Sequence, residues 1–190
     1  MSVFVRSSLV STFRTRFFRH LARFSLRREH CVINKIQTLL IAEDDDNDFL
    51  LFSRALEKDQ FEADIQRACD GVEVIEYLSG ENHYSDRRAH PLPELLLLDL
   101  KMPRKGGFDV LTWLREHPEL RSLPAVVFSS SEEPADIERA YALGAKFYLT
   151  KPTSFSSYPD VVRTLKELWS NGFEQSVDGN VVKSCHRQAD

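Results

Sequence analysis

Four leucines run without interruption from Leu95 to Leu98 and end on Asp99. An apolar run of that length with no polar alternation predicts a strand buried on both faces, as in a parallel sheet. Asp99 then stands at the carboxyl end of the strand, where open α/β sheets hold their ligands. Lys101, Met102, Pro103 and the pair Gly106-Gly107 make a loop, and a helix is expected from about Phe108. Alone, such an aspartate could equally cap the turn that follows it, because Asp is favoured in turns.

The rest of the chain repeats the pattern. Residues 37–42 (QTLLIA) are apolar and predict a first strand, which runs straight into Glu43-Asp44-Asp45-Asp46-Asn47-Asp48. Helical spacing of Phe49, Leu50, Phe52, Ala55 and Leu56 predicts a helix over about 47–58. Residues 61–68 predict a second strand and 71–79 a second helix stopped by Gly80. A connection over 80–93 is longer than usual; its His83 and His90 are given no role. After the Asp99 strand come a helix over 108–116, a strand over 124–128 followed by Ser129-Ser130-Ser131, and a helix over 134–143. A strand over 146–150 closed by Lys151-Pro152 and a helix over about 157–169 complete the series. Five strands alternating with five helices predict an α/β fold, a doubly wound five-stranded parallel sheet flanked by five helices.

Charge divides the chain. Residues 1–28 hold seven Arg and no Asp, Glu or Lys. The remainder therefore carries −11 against a total of −4. An acidic main domain argues against nucleic-acid binding, which needs clustered Lys and Arg to neutralise phosphates. Residues 1–35 are expected to be a basic Arg- and Phe-rich extension outside the fold, disordered or loosely helical. The readings open for it are an organelle transit peptide, a basic arm for a membrane surface or partner, and an upstream extension without function. No secretory signal and no membrane-spanning run is found, so no stable membrane insertion is expected. Cys31, Cys69 and Cys185 are widely spaced, without a CxxC or a disulfide framework. This suits a reducing compartment and a cytoplasmic location. Residues 171–190 are expected to be a polar, mobile tail.

Polar groups thus gather at one rim of one sheet: Glu43 and Asp44, Asp99, Ser129, and Lys151. The acid run has three readings. Some of its carboxylates favour a helix N-terminus. A calcium loop of the EF-hand kind fails, since the sixth position is Phe49 and the twelfth Ala55. A magnesium site facing Asp99 fits, because close carboxylates repel one another unless a cation is present. The chemistry that suits the set is phosphoryl transfer to a carboxylate. Asp99 would be the nucleophile. Mg2+ would be held by Asp44, Asp99 and a main-chain carbonyl near Lys101. Lys151 would supply a fixed positive charge, and Ser129 a hydroxyl that bonds only the phosphorylated form.

At these residues the chain resembles the receiver domain of two-component response regulators, the CheY-like branch of the flavodoxin-like folds, over about residues 36–170. Glu43-Asp44 match the acidic pair. Asp99 with Met102 and Pro103 matches the phosphoacceptor motif, and Gly106-Gly107 follow it. Ser129 matches the switch hydroxyl, Lys151-Pro152 the Lys-Pro pair, and Tyr148 the switch aromatic. The resemblance implies phosphoryl acceptance on Asp99 from a sensor histidine kinase. It implies Mg2+ held by Asp44, Asp99, the Lys101 carbonyl and, through water, Glu43. It also implies a change of partner-binding surface through Ser129 and Tyr148, with no enzymatic turnover beyond self-catalysed transfer and slow loss of the phosphoryl group. The stretch from Leu78 to Gly107 looks most like single-domain regulators that partner phytochrome-type histidine kinases, relatives that often dimerise through the face of helix four, strand five and helix five, so the resemblance allows a homodimer through that face. No DNA-binding output segment is expected.

Three rivals are weighed. A haloacid-dehalogenase-type phosphatase needs an acid/base Asp two residues after its nucleophile, where this chain has Lys101. A P-loop NTPase needs GxxxxGK, which is absent. An unphosphorylated receiver-fold docking module would not need the full acid, Asp, Ser and Lys set.

Overall fold

The computed structural model describes residues 37–173. The element order is β1 Thr38–Ala42, α1 Asp46–Lys58, β2 Asp64–Ala68, α2 Gly71–Ser79, β3 Leu95–Leu98, α3 Gly107–Glu116, β4 Ala125–Ser129, α4 Pro134–Ala142, β5 Phe147–Thr150 and α5 Tyr158–Ser170. All five strands are parallel, in the order β2-β1-β3-β4-β5. The expected doubly wound sheet is therefore observed. The expected extension over 1–35 and the tail from residue 174 lie outside the described residues.

The leucine run shows why a continuous apolar string is needed. Leu96 and Leu98 join a core cluster with Val74, Tyr77, Val110 and Ala140, from α2, α3 and α4. Leu95 and Leu97 join Phe52, Leu56, Val162 and Leu165, from α1 and α5. The period of two is still present, but both faces are covered, so each position must be apolar. All four leucines are buried. Burial of a Leu side chain contributes about 1.5–3 kcal/mol, so this one strand anchors both layers.

Boundaries differ where local bonding overrides pattern. The second strand starts at Asp64 instead of residue 61, because Phe61 N donates to Leu56 O at 2.9 Å and extends the exit turn of α1. The polar tail begins later than residue 171. Gly172 adopts φ +66° and Phe173 N donates to Leu168 O at 3.0 Å, closing α5 and placing Phe173 beside Trp169. The long connection is tied down by Arg87, whose guanidinium donates to Tyr77 O and Leu78 O at 2.7 Å each. That satisfies carbonyls at the end of α2, which Gly80 stops in the left-handed region at φ +71°. His83 and His90 pack there against Tyr84, away from the acidic rim.

The start of α3 is where the fold constrains the phosphoacceptor candidate most tightly. A Cβ on Gly107 would lie 2.4 Å from the Asp99 carbonyl oxygen and 2.9 Å from Leu100 Cα. Gly107→Ala gains at most about 1 kcal/mol of helix propensity but forces main chain apart, and because the atoms met are backbone the overpacking cost falls in the upper part of the range, about 2–3 kcal/mol. The expected result in urea titration is a net loss of about 1–2 kcal/mol. A variant as stable as the parent would show that α3 slides freely past Asp99.

Candidate functional site

Parallel register brings the strand ends together. Leu98 is level with Ala42, and Asp99 N donates to Ala42 O at 3.0 Å, so Asp99 and Glu43 leave adjacent strands side by side. Ser129 is level with Thr150, and Lys151 N donates to Ser129 O at 2.9 Å. These two pairs flank the same rim. The crevice between β1 and β3, where the winding direction reverses, is the expected ligand position in such a sheet.

Lys151 joins the groups. Its ammonium lies 2.6 Å from Glu43 Oε2, 2.9 Å from Asp99 Oδ2 and 2.9 Å from Asp48 Oδ2. The side chains of Lys151, Glu43 and Asp99 are all less than a tenth exposed. The other oxygen of Asp99 accepts from Lys101 N at 3.2 Å. Glu43, Asp44 and Asp99 each offer an oxygen within 4.8 Å of the others. An all-oxygen set of that size suits a hard divalent cation. Beside it opens a cleft of about 510 Å³ lined by Asp48, Ser130, Glu132, Thr150 and Lys151 among others.

Electrostatics follow from burial. Desolvation pushes the Glu43 carboxyl up to about 7, outweighing the pull of Lys151 in the opposite direction. Burial works against the Lys151 ammonium, but hydrogen bonds to Asp99 and Glu43 overcome it and hold that group above the usual lysine value.

The acid run divides by role. Asp45 is the N-cap of α1, accepting from Asn47 N at 2.8 Å and Asp48 N at 3.0 Å. These bonds hold its carboxyl below the usual range. Asp46 pairs with Arg67 at 2.7 Å. Asp48 pairs with Lys151, which sequence reasoning missed; its position in the first turn of α1 was the available signal.

Ser129 and Tyr148 are buried, on neighbouring strands β4 and β5. Tyr148 OH donates to the Ser131 carbonyl at 2.9 Å, and Ser131 Oγ donates to Asp136 in the first turn of α4 at 2.6 Å. Ser131 was named in sequence only as part of a serine run. Also unforeseen is Arg104, at φ +59° in the β3–α3 loop, whose guanidinium pairs with the buried carboxylate of Asp70. Asp70 uses its other oxygen to cap α2, taking bonds from Val72 N and Glu73 N. The Lys101 side chain is exposed and makes no ion pair among the described residues. No helix among the described residues is long and apolar enough to cross a membrane.

Comparison with known proteins gives the same picture. The family model described as "Response regulator receiver domain" matches residues 39–163. The "Probable methanogenesis regulatory protein FilR2" of Methanothrix harundinacea is 34% identical over 131 residues, which are 69% of this chain and 82% of that protein. The crystal structure of the phosphorylated cyanobacterial phytochrome response regulator RcpA superposes with TM-score 0.65 at 31% identity, covering 71% of this chain and 94% of that one. The Mn2+-bound form of the response regulator Rcp1, of Synechocystis, superposes with TM-score 0.63 at 28% identity, covering 70% and 94%. Since the family match begins one residue into β1 and runs into α5, it spans every strand that feeds the rim, and the chain belongs to the response regulator receiver domain family.

Proposed function

We propose that this receiver domain accepts a phosphoryl group on Asp99 from a sensor histidine kinase and so switches the surface it presents to partners. The observation that carries the reading is the Lys151 ammonium set among three carboxylates, one of them the Asp99 candidate nucleophile. In the reaction an Asp99 oxygen attacks phosphorus. The P–N bond to the kinase imidazole breaks with its electron pair going to nitrogen, and an acyl phosphate forms. Asp44, Asp99 and the Lys101 carbonyl would hold Mg2+, with Glu43 acting through water. Bound there, the ion neutralises phosphoryl oxygens. The Mn2+-bound form of Rcp1 supports a divalent site of this kind. Lys151 would exchange a carboxylate partner for a phosphoryl oxygen.

Readout would run through the buried hydroxyls. A phosphoryl group that draws in Ser129 disturbs the β4–α4 loop, where Ser131 N lies 3.4 Å from Ser129 Oγ. Ser131 is bonded both to Tyr148 and to the first turn of α4. The face of α4, β5 and α5 would carry the change to a downstream protein or to a second copy of the chain. The likeness to RcpA supports a kinase of the phytochrome type.

Intact mass spectrometry of the full chain with acetyl phosphate is expected to show one added phosphoryl group that requires Mg2+ and is lost in Asp99→Asn. Labelling that persists in that variant would overturn Asp99 as acceptor. No labelling of the parent would favour an unphosphorylated docking module. Lys151→Ala is expected to keep some labelling while losing the phosphorylation-dependent change in partner binding.

Glu43 gives a pH dependence. The folded chain holds its proton until about 7 while the unfolded chain releases it near 4.5. Between those values the folded state binds more protons, so stability falls as pH rises. The metal-free protein should lose on the order of 1–3 kcal/mol across that window and level off above it. Denaturation of Glu43→Gln over the same range should remove this slope. A slope unchanged in Gln would assign it to another group.

A further inference from the structure

We infer that Arg67, on the edge strand β2, is a positioning residue that aims Asp44 at the metal site. This rests on the reading that Asp44 and Asp99 take up Mg2+. Arg67 spends its whole guanidinium on the acidic turn. Its Nε donates to Glu43 O at 3.1 Å, its Nη2 to Asp44 O at 3.2 Å and its Nη1 to Asp46 Oδ1 at 2.7 Å. The plane lies over the Phe49 ring, with Cζ 4.5 Å from the ring centroid. β2 pairs with β1 so that Arg67 is level with Ile41, and its long side chain reaches past the end of the neighbouring strand.

The two acids differ in what fixes them. Glu43 is buried, and its carboxylate is held by Lys151 and by Asp45 N. Asp44 is exposed, and its carboxylate makes no hydrogen bond or ion pair among the described residues. With no partner of its own among these residues, the Asp44 side chain depends on its main chain for its Cα–Cβ direction, and Arg67 holds the carbonyls of that peptide and the one before it. A planar fork does this better than a lysine, because its donors hold both carbonyls in one fixed geometry where an ammonium is a point charge on a flexible stem.

Charge and position make opposite predictions for this residue. A cation near the site repels Mg2+, so charge alone would have its removal tighten binding. A clamp would have its removal weaken binding. Arg67→Lys keeps the charge and loses the fork; Arg67→Gln loses both. Asp46→Asn loses the exposed pair and leaves both carbonyl bonds.

The test is isothermal calorimetry of MgCl2 into the full chain, with Asp44→Asn as the control for the site itself. Arg67→Lys and Arg67→Gln are both expected to raise the Mg2+ Kd about tenfold, the lower end for support outside the coordinating groups. Asp46→Asn should stay at the wild-type value. Acetyl phosphate labelling should separate the two effects: the Arg67 variants need more Mg2+ but regain the wild-type rate at saturation. A purely structural role would lower the saturating rate and the metal-free melting temperature together, and that result overturns the assignment. So does wild-type affinity in Arg67→Lys, or tighter binding in Arg67→Gln. If the parent takes up no Mg2+, or Asp44→Asn binds as well as the parent, the metal site falls and this inference falls with it. If Asp44→Asn weakens binding and the Arg67 variants do not, only the inference fails.

Discussion

The structure depends on one buried ammonium held among carboxylates of different strands. Lys151 is bonded to Glu43 beyond β1, Asp99 beyond β3 and Asp48 in α1. Each contact crosses a crevice between elements, so the ammonium fastens the rim at which they meet. With most of the set withdrawn from water, the attraction is strong, but so is the repulsion among the acids. Burial acts on both signs of charge and neutral carboxyl is the cheaper answer for Glu43, which accounts for its raised value. The rim is thus a compromise among like charges, sensitive to any ion that joins it.

That compromise is possible because the sheet brings in the groups without using their backbone bonds. The strands complete their ladders first, and the site begins one residue later. Asp99 N bonds to Ala42 O and Glu43 N to Ala68 O, so the peptides carrying the acids are satisfied before their side chains are considered. The order β2-β1-β3-β4-β5 sends crossovers to opposite sides on either side of the β1–β3 crevice. Such a crevice is where doubly wound sheets hold ligands, and Glu43 and Asp99 leave the strands on its two sides.

Much of this was legible in the sequence, for a definable reason. Buried parallel strands must be apolar at every position, so Leu95–Leu98 and the strands around it announced themselves. The polar residue ending each run then marked a single rim. What escaped were the residues that act on main chain from another element. Arg67 lay within the predicted second strand with no role given to it, and its three bonds depend on the β1–β2 register. Arg104 meets Asp70, 34 positions away, through a left-handed turn that no non-glycine pattern predicts. Asp48 was read within an acid run whose members are chemically alike. Only the first turn of α1 separates a cap at Asp45 from a site residue three positions on. The start of β2 was misplaced because Phe61 is apolar for the sake of Trp169, which it meets edge-on, and not for the sheet.

Charge balance then links metal and phosphoryl group. Glu43, Asp44, Asp48 and Asp99, when ionised, outnumber Lys151 by three. Converting Asp99 to an acyl phosphate replaces one negative charge with nearly two, so phosphorylation alone deepens the imbalance. A divalent cation would lessen it without cancelling it, and at this range each charge alters the free energy of the next by several kcal/mol at an effective dielectric of about 20. On the proposed reading, metal and phosphoryl group would therefore favour each other's presence, reciprocally, as any two ligands coupled through one site do. The same balance gives Lys151 somewhere to go. Were Asp99 converted to an acyl phosphate, its carboxyl oxygens would no longer compete for the ammonium as a free carboxylate does, and the phosphoryl oxygens would become its strongest partner. The ion pair that fastens the resting rim would then be the one that phosphorylation rearranges.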